Sequence, residues 1–86
     1  IKDHFIVCGY GRIGSMIAHQ FRQQGVPFVI IERDATRLET AMMDGFLAVQ
    51  ADASHEDVLK RVGIDRARGL IAAVGTDAEN VYAVLS

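Results

Sequence analysis

Tryptophan is absent from this 86-residue chain, and proline and cysteine occur once each. A lone cysteine, Cys8, can neither close an internal disulfide nor assemble a cysteine-rich zinc site, and its solitude suits a reducing compartment. With one proline, 50% hydrophobic and 23% charged residues, the chain is not a low-complexity or disordered one. No apolar run approaches the roughly 18 residues of a membrane span, and none reads as a signal-peptide core, so a soluble chain is expected. A formal net charge of -2 leaves no basic excess for nucleic acid or an anionic membrane surface. His4, His19 and His55 are scattered, with no metal-ligand spacing and no nucleophile placed to use them. Structural or solvated roles are expected for all three.

What is present is concentrated near the N-terminus. The apolar run Phe5-Ile6-Val7-Cys8 stops at Gly9-Tyr10-Gly11-Arg12-Ile13-Gly14, three glycines spaced G-x-G-x-x-G. Gly9 permits the turn out of a strand, Gly11 lets backbone approach a phosphate, and Gly14 lets the next helix pack on that strand. The helix start leaves N–H groups unpaired and adds partial positive charge, which favours an anion.

Further along, Ile13, Ile17 and Phe21 recur at helical spacing, and Gly25 ends that helix. Pro27 opens a second buried strand, Phe28–Ile31. Asp34 caps a second helix that carries Leu38, Ala41 and Met42 inward and ends at Gly45. Phe46–Val49 reads as a third strand. Ser54 and Asp57 have capping-box spacing for a short helix through Val58 and Val62. Leu70–Val74 reads as a fourth strand, and Thr76 with Glu79 as a second capping box opening a final helix that runs through residues 81–86. Strict alternation of strand and helix predicts an α/β, Rossmann-like doubly wound parallel sheet of order 3-2-1-4, formed by one lobe over residues 1–86. In that order strand 4 is an unprotected apolar edge. Either the last strands of a longer lobe are missing from this chain, as is expected, or another chain covers that edge.

Ligands of such sheets bind at the carboxyl ends of the strands. Four positions converge there: the loop Gly9–Gly14, Glu32 after strand 2, Asp52-Ala53 after strand 3, and Gly75-Thr76 after strand 4. A carboxylate at Glu32 accepts from both ribose hydroxyls and repels a 2′-phosphate, whereas Arg33 can accommodate one; NAD-type or simple adenosine ligands are favoured. Arg12 either pairs with a phosphate in fork geometry or stands solvated on the first helical turn. Asp52 is either an adenine-side group or a turn former. No acid, base or nucleophile is placed to manage hydride transfer, and 86 residues leave no room for a substrate domain, so catalysis is not expected.

Taken together, His4–Gly14, Glu32-Arg33-Asp34, Ala51-Asp52-Ala53-Ser54 and Thr76–Asn80 resemble the RCK/KTN domain, over essentially the whole chain. The resemblance implies a Rossmann lobe on the cytoplasmic face of the cell membrane that regulates a potassium channel or Trk/Ktr-type transporter. It implies NAD(H), ATP/ADP or AMP as ligand, and homo-oligomers built from dimers, commonly as an octameric ring. By position, Gly9, Gly11, Gly14 and Arg12 would face the phosphates, Glu32 the ribose, and Asp52 with Ala53 the adenine; Tyr10, Ile13 and Arg33 complete the expected cofactor-binding set. Gly75 and Thr76, after strand 4, would lie near the phosphates or the second half of the ligand. Ala51 stands where that family more usually has glycine. Two other readings remain: the cofactor half of an NAD-dependent dehydrogenase or reductase, and a dimerisation module with a vestigial nucleotide site.

Overall fold

Each apolar run of the N-terminal half becomes one strand of a single sheet. The computed structural model describes residues 1–73 and 81–85. Its elements are β1 (Phe5–Cys8), α1 (Arg12–Gln23), β2 (Phe28–Glu32), α2 (Ala35–Met43), β3 (Ala48–Gln50), α3 (Glu56–Arg61), a 3₁₀ turn (Ile64–Arg66), β4 (Gly69–Ala73) and β5 (Val81–Leu85). The strand order is β3-β2-β1-β4-β5. The first four strands run parallel, with Phe5 opposite Phe28 and Gly69, and Ile30 opposite Ala48.

Parallel strands covered on both faces should be apolar along their length, as β1 is throughout and β2 is up to its last residue, Glu32. Ile6, Cys8, Val29 and Ile31 face α3, packing with Val58 and Val62. Val7 and Ile30 face α1 and α2, packing with Ala18, Ala41, Tyr10 and Phe46. Full burial of a side chain such as Ile6, Val7, Ile30 or Ile31 contributes about 1.5–3 kcal/mol. The α1/α2 side is also a chain of rings. Phe5 meets Phe21 at 5.0 Å, Phe21 meets Phe28 at 5.8 Å, and Phe28 meets Phe46 at 5.3 Å between centroids.

Both long helices close on the same pair of bonds. After α1, Gly25 and Val26 donate to the carbonyls of Arg22 and Phe21; after α2, Gly45 and Phe46 donate to Met42 and Ala41. These satisfy carbonyls that a helix end leaves open. They also move the third strand. Phe46 was expected to begin it, but its N–H is spent on the end of α2, and the ladder starts at Ala48. Asp34 caps α2 as expected, accepting from the Arg37 N–H at 2.9 Å.

The Ser54–Asp57 capping box does not form. Asp52 Oδ1 takes the Ser54 N–H at 2.9 Å, and the Asp52 carbonyl takes the N–H of His55. That turn delays the helix by one residue, so His55 occupies the cap position without a side-chain bond. Thr76 and Glu79, the second expected box, lie outside the described residues.

The largest correction concerns the C-terminal segment. Residues 81–85 were expected to be helical, but they form β5, antiparallel to β4, with Val81 opposite Ala73 and Leu85 opposite Gly69. A five-residue run of Val, Tyr, Ala, Val and Leu has no periodicity that separates helix from strand. Its β-branched and aromatic residues suit a strand, and the open N–H and C=O groups of β4 supply a partner. The apolar edge of strand 4 is thus covered by this same chain. Val84 and Leu85 on the new edge are exposed.

Candidate functional site

β1 ends at Cys8 and the chain turns at Gly9, which takes a φ of 109°, a value that glycine alone adopts readily. Gly9 donates its N–H to the Ile31 carbonyl at 2.8 Å, which ties the turn to the end of β2. Gly11 then occupies the cap position of α1, and Gly14 lies beneath the turn. A Cβ on Gly14 would stand 2.0 Å from the Gly9 carbonyl oxygen, so α1 reaches β1 only because that atom is missing. The spacing therefore has the packing consequence that the motif implies.

A cleft of about 560 Å³ opens at this end of the sheet, bordered by Gly9, Glu32, Arg33, Arg37, Asp52, Ala53 and neighbouring side chains. Five of the twelve positions singled out from the sequence line it: Gly9, Glu32, Arg33, Asp52 and Ala53. Tyr10, Gly11, Arg12, Ile13 and Gly14 sit beside it in the loop and the first turn of α1 without forming its wall. Gly75 and Thr76 lie outside the described residues.

The Tyr10 side chain turns away from the cleft. It is buried against α1 and α2, where its hydroxyl donates to Asp44 Oδ2 at 2.5 Å and its ring meets Phe46 edge-on. Burial, and then the Asp44 carboxylate, push its phenol well above the usual range. Only the Tyr10 backbone is offered to the site, and that backbone is already in use.

Glu32 uses it. The residue is 6% exposed, and its Oε1 accepts the Tyr10 N–H at 2.7 Å while Oε2 accepts the Asp34 N–H at 2.9 Å. The carboxylate so joins the glycine loop to the strand end. Each carboxylate oxygen can accept a second bond, which leaves acceptor capacity toward the cleft.

Asp52 combines two roles that the sequence left open. It forms the turn after β3 and lines the cleft. The Ser54 N–H and hydroxyl hold its carboxyl below the ordinary carboxylate range, helped through space by His55 and Arg33. The ionised form is therefore favoured. Ala51, beside it, adds its methyl to the cleft wall and packs on the α3-side core.

Cys8 lines the floor of the cleft at 2% exposure, and burial pushes its thiol from 9.0 up to about 11. It is an un-ionised packing group, not a nucleophile. Because the folded chain keeps this proton where the unfolded chain loses it, stability falls as pH rises from about 9 to about 11. Tyr10 has a shift of the same sign, so the comparison must be between variants. Thermal melts of wild type and Cys8→Ala at pH 8 and pH 11 should show a smaller alkaline loss in the variant. Equal losses would show that the thiol ionises alike in both states.

His4 is a core residue. Its Nε2–H donates to the Val62 carbonyl at 2.7 Å, joining β1 to the end of α3, and its Nδ1 has no hydrogen-bond partner among the described residues. Sequence reasoning missed Arg37 as a cleft residue. Its place three residues after the Asp34 cap was legible, but that it borders the cleft was not.

A glycine-rich turn between β1 and α1, an acidic residue ending β2, and a cleft across the strand ends define a Rossmann-like nucleotide-binding fold. The TrkA-N domain family model matches residues 5–86. The chain belongs to the TrkA-N family. It is 43% identical, over its whole length, to potassium channel protein 1 of Methanocaldococcus jannaschii, of which it spans 26%. Among solved structures, the TrkA-N domain of the Escherichia coli inner membrane protein ybaL superposes with a TM-score of 0.79 and 30% identity. That match covers 86% of this chain and 55% of the solved TrkA-N domain chain. GsuK bound to ADP superposes with a TM-score of 0.68 and 34% identity, over 85% of this chain and 19% of the other. Other relatives include chloroplastic K(+) efflux antiporters of Arabidopsis thaliana. Among the described residues no helix is long and apolar enough to cross a membrane.

Proposed function

We propose that this chain is a ligand-sensing regulatory lobe, on the cytoplasmic face of the membrane, of a potassium channel or K⁺ transporter. It binds an adenine nucleotide in the cleft at the strand ends, NAD(H) first and ATP, ADP or AMP as the other members of the class. The observation that carries this reading is the cleft itself, with the Glu32 carboxylate held rigidly by two backbone N–H groups at the end of β2. A fixed carboxylate with open lone pairs suits a ribose diol. Support comes from the ADP-bound relative of the same fold and from relatives that are potassium channel proteins.

The lobe binds its ligand without transforming it. Its one thiol is protonated at neutral pH, and the Glu32, Asp34 and Asp52 carboxylates are each engaged by backbone N–H groups. Signalling then requires two states of an assembly that bind the nucleotide differently, because a ligand with equal affinity for both shifts nothing. The assembly is a homo-oligomer built from dimers and coupled to the membrane pore. Met16, Met42, Met43 and Leu47, exposed on and beside α1 and α2, provide apolar surface for such contacts.

The test is a thermal-shift panel with NAD⁺, NADH, NADP⁺, ATP, ADP and AMP. A ligand present at a hundred times its Kd should stabilise the fold by about 2.7 kcal/mol. Absence of a shift with every member overturns the nucleotide reading.

A further inference from the structure

The glycine loop is fastened on the side that faces away from the cleft. Tyr10 lies between Gly9, at a φ of 109°, and Gly11, extended at the cap of α1. Two flanking glycines leave the backbone between them little stiffness of its own, so the loop must be fixed through Tyr10. Its ring is 4% exposed and meets Phe46 edge-on, and its hydroxyl donates to Asp44 Oδ2 at 2.5 Å. Asp44 is itself anchored at the end of α2. Its N–H bonds the Thr40 carbonyl, and its own carbonyl accepts from the Arg22 guanidinium, which stacks 4.1 Å over the Phe46 ring. His19 Nε2 is a more distant neighbour, 3.4 Å from the hydroxyl and 3.8 Å from Asp44 Oδ2. None of these side chains lines the cleft. The Tyr10 N–H, by contrast, is the group that Glu32 Oε1 receives at 2.7 Å. One residue thus ties the loop to the end of β2 through its backbone and to the end of α2 through its side chain.

We propose that Tyr10 is a positioning residue for the nucleotide site: its hydroxyl, bonded to Asp44, holds the glycine loop in its binding conformation and keeps Glu32 in place. This rests on the nucleotide reading above and adds to it a residue whose side chain acts on the site without touching the ligand. A loop that is ordered only when the ligand arrives subtracts that ordering from the affinity. A loop that holds the competent conformation for part of the time binds more weakly by that fraction. The hydroxyl–carboxylate bond is of the charge-assisted, stronger class, and it joins residues 34 positions apart, so it restrains the loop where the glycines do not.

The experiment titrates NAD⁺ and ADP calorimetrically into wild type, Tyr10→Phe, Asp44→Ala, Asp44→Asn and the double variant Tyr10→Phe/Asp44→Ala, with a circular-dichroism melt of each. Tyr10→Phe keeps the ring against Phe46 and deletes only the donor. Affinity should fall about fivefold or more in Tyr10→Phe and in Asp44→Ala, part of what a hydrogen bond to a charged group contributes. The double variant should stay within about twofold of Tyr10→Phe, because the two ends of one bond are lost only once. Asp44→Asn, whose amide oxygen still accepts the hydroxyl, should bind within about twofold of wild type. Val62→Ala truncates the core at the far end of α3; it should lower the melting temperature and leave affinity within about twofold. Amide exchange reads the loop without ligand: in Tyr10→Phe the residue-10 N–H should lose more protection than the Val7 N–H of β1. Tyr10→Phe that binds as tightly as wild type overturns the positioning role and leaves the nucleotide reading standing. So do losses that add in the double variant, or a loss in Val62→Ala as large as that in Tyr10→Phe. Wild type that binds neither nucleotide overturns both.

Discussion

Replacing Gly14 by alanine is expected to lower the melting temperature by about 12 °C or more, taking about 3 kcal/mol of overpacking at 4–8 °C per kcal/mol for a domain of this size. The added Cβ would lie 2.0 Å from the Gly9 carbonyl oxygen and 2.7 Å from its carbon, both backbone atoms. No rotamer change relieves a clash between two main chains. The turn cannot retreat either, since the Gly9 N–H is bonded to Ile31 and its φ of 109° is already unusual. Relief requires α1 to lift from β1, which opens the packing of Val7, Ala18 and Ile30. Differential scanning calorimetry measures the loss directly. A melting temperature within about 3 °C of wild type would mean that the helix does not rest on the turn as described.

Glu32→Gln is expected to reduce both stability and nucleotide affinity. The amide oxygen can accept one of the two N–H groups that the carboxylate now holds, but the amide nitrogen then confronts the other, donor against donor. Asp34 is exposed and water can take over its N–H; Tyr10 is buried and its N–H has no such recourse. An unsatisfied buried donor costs about 1–3 kcal/mol, or a fall of roughly 5–20 °C in melting temperature. In the same variant NAD⁺ should weaken more than NADP⁺, because a plain ribose depends on the carboxylate and a 2′-phosphate does not. A variant that melts like wild type would show that the bond to the glycine loop carries no weight. Equal weakening of the two nucleotides would remove the ribose role from Glu32.

These two positions illustrate different degrees of legibility in the chain. Gly14 could be read from spacing alone: a third glycine five residues after Gly9 has one structural use in a strand–turn–helix unit, and the backbone meets there as expected. Glu32 could be placed at the end of the second strand, but not bonded. That its two oxygens take N–H groups from Tyr10 and Asp34 depends on where the glycine loop comes to rest. Tyr10 was read as a cleft residue because it lies inside the motif, yet its ring is drawn to Phe46 and Asp44 across the α1/α2 layer. Position in a motif places a backbone; the side chain follows whichever neighbour buries it.

The two ends of the sheet show the same division. β1 and β2 were evident because a buried parallel strand is a continuous apolar run bounded by glycine or proline, a property written into four consecutive residues of each. Alternation with amphipathic helices then permitted one handedness and the order of the first four strands. For Val81–Leu85 no such local signature exists. The run is short, unbounded and compatible with either state, and its strand conformation comes from pairing with β4. Arg37 likewise borders the cleft together with residues of β2 and of the turn after β3, segments that its own sequence neighbourhood does not bring together. Layering, strand order and the place of the cleft are consequences of period and turn chemistry, which act over a few residues. The bonding of Glu32, the burial of Tyr10, the place of Arg37 in the cleft wall and the fifth strand depend on segments far apart in the chain, and packing alone brings those together.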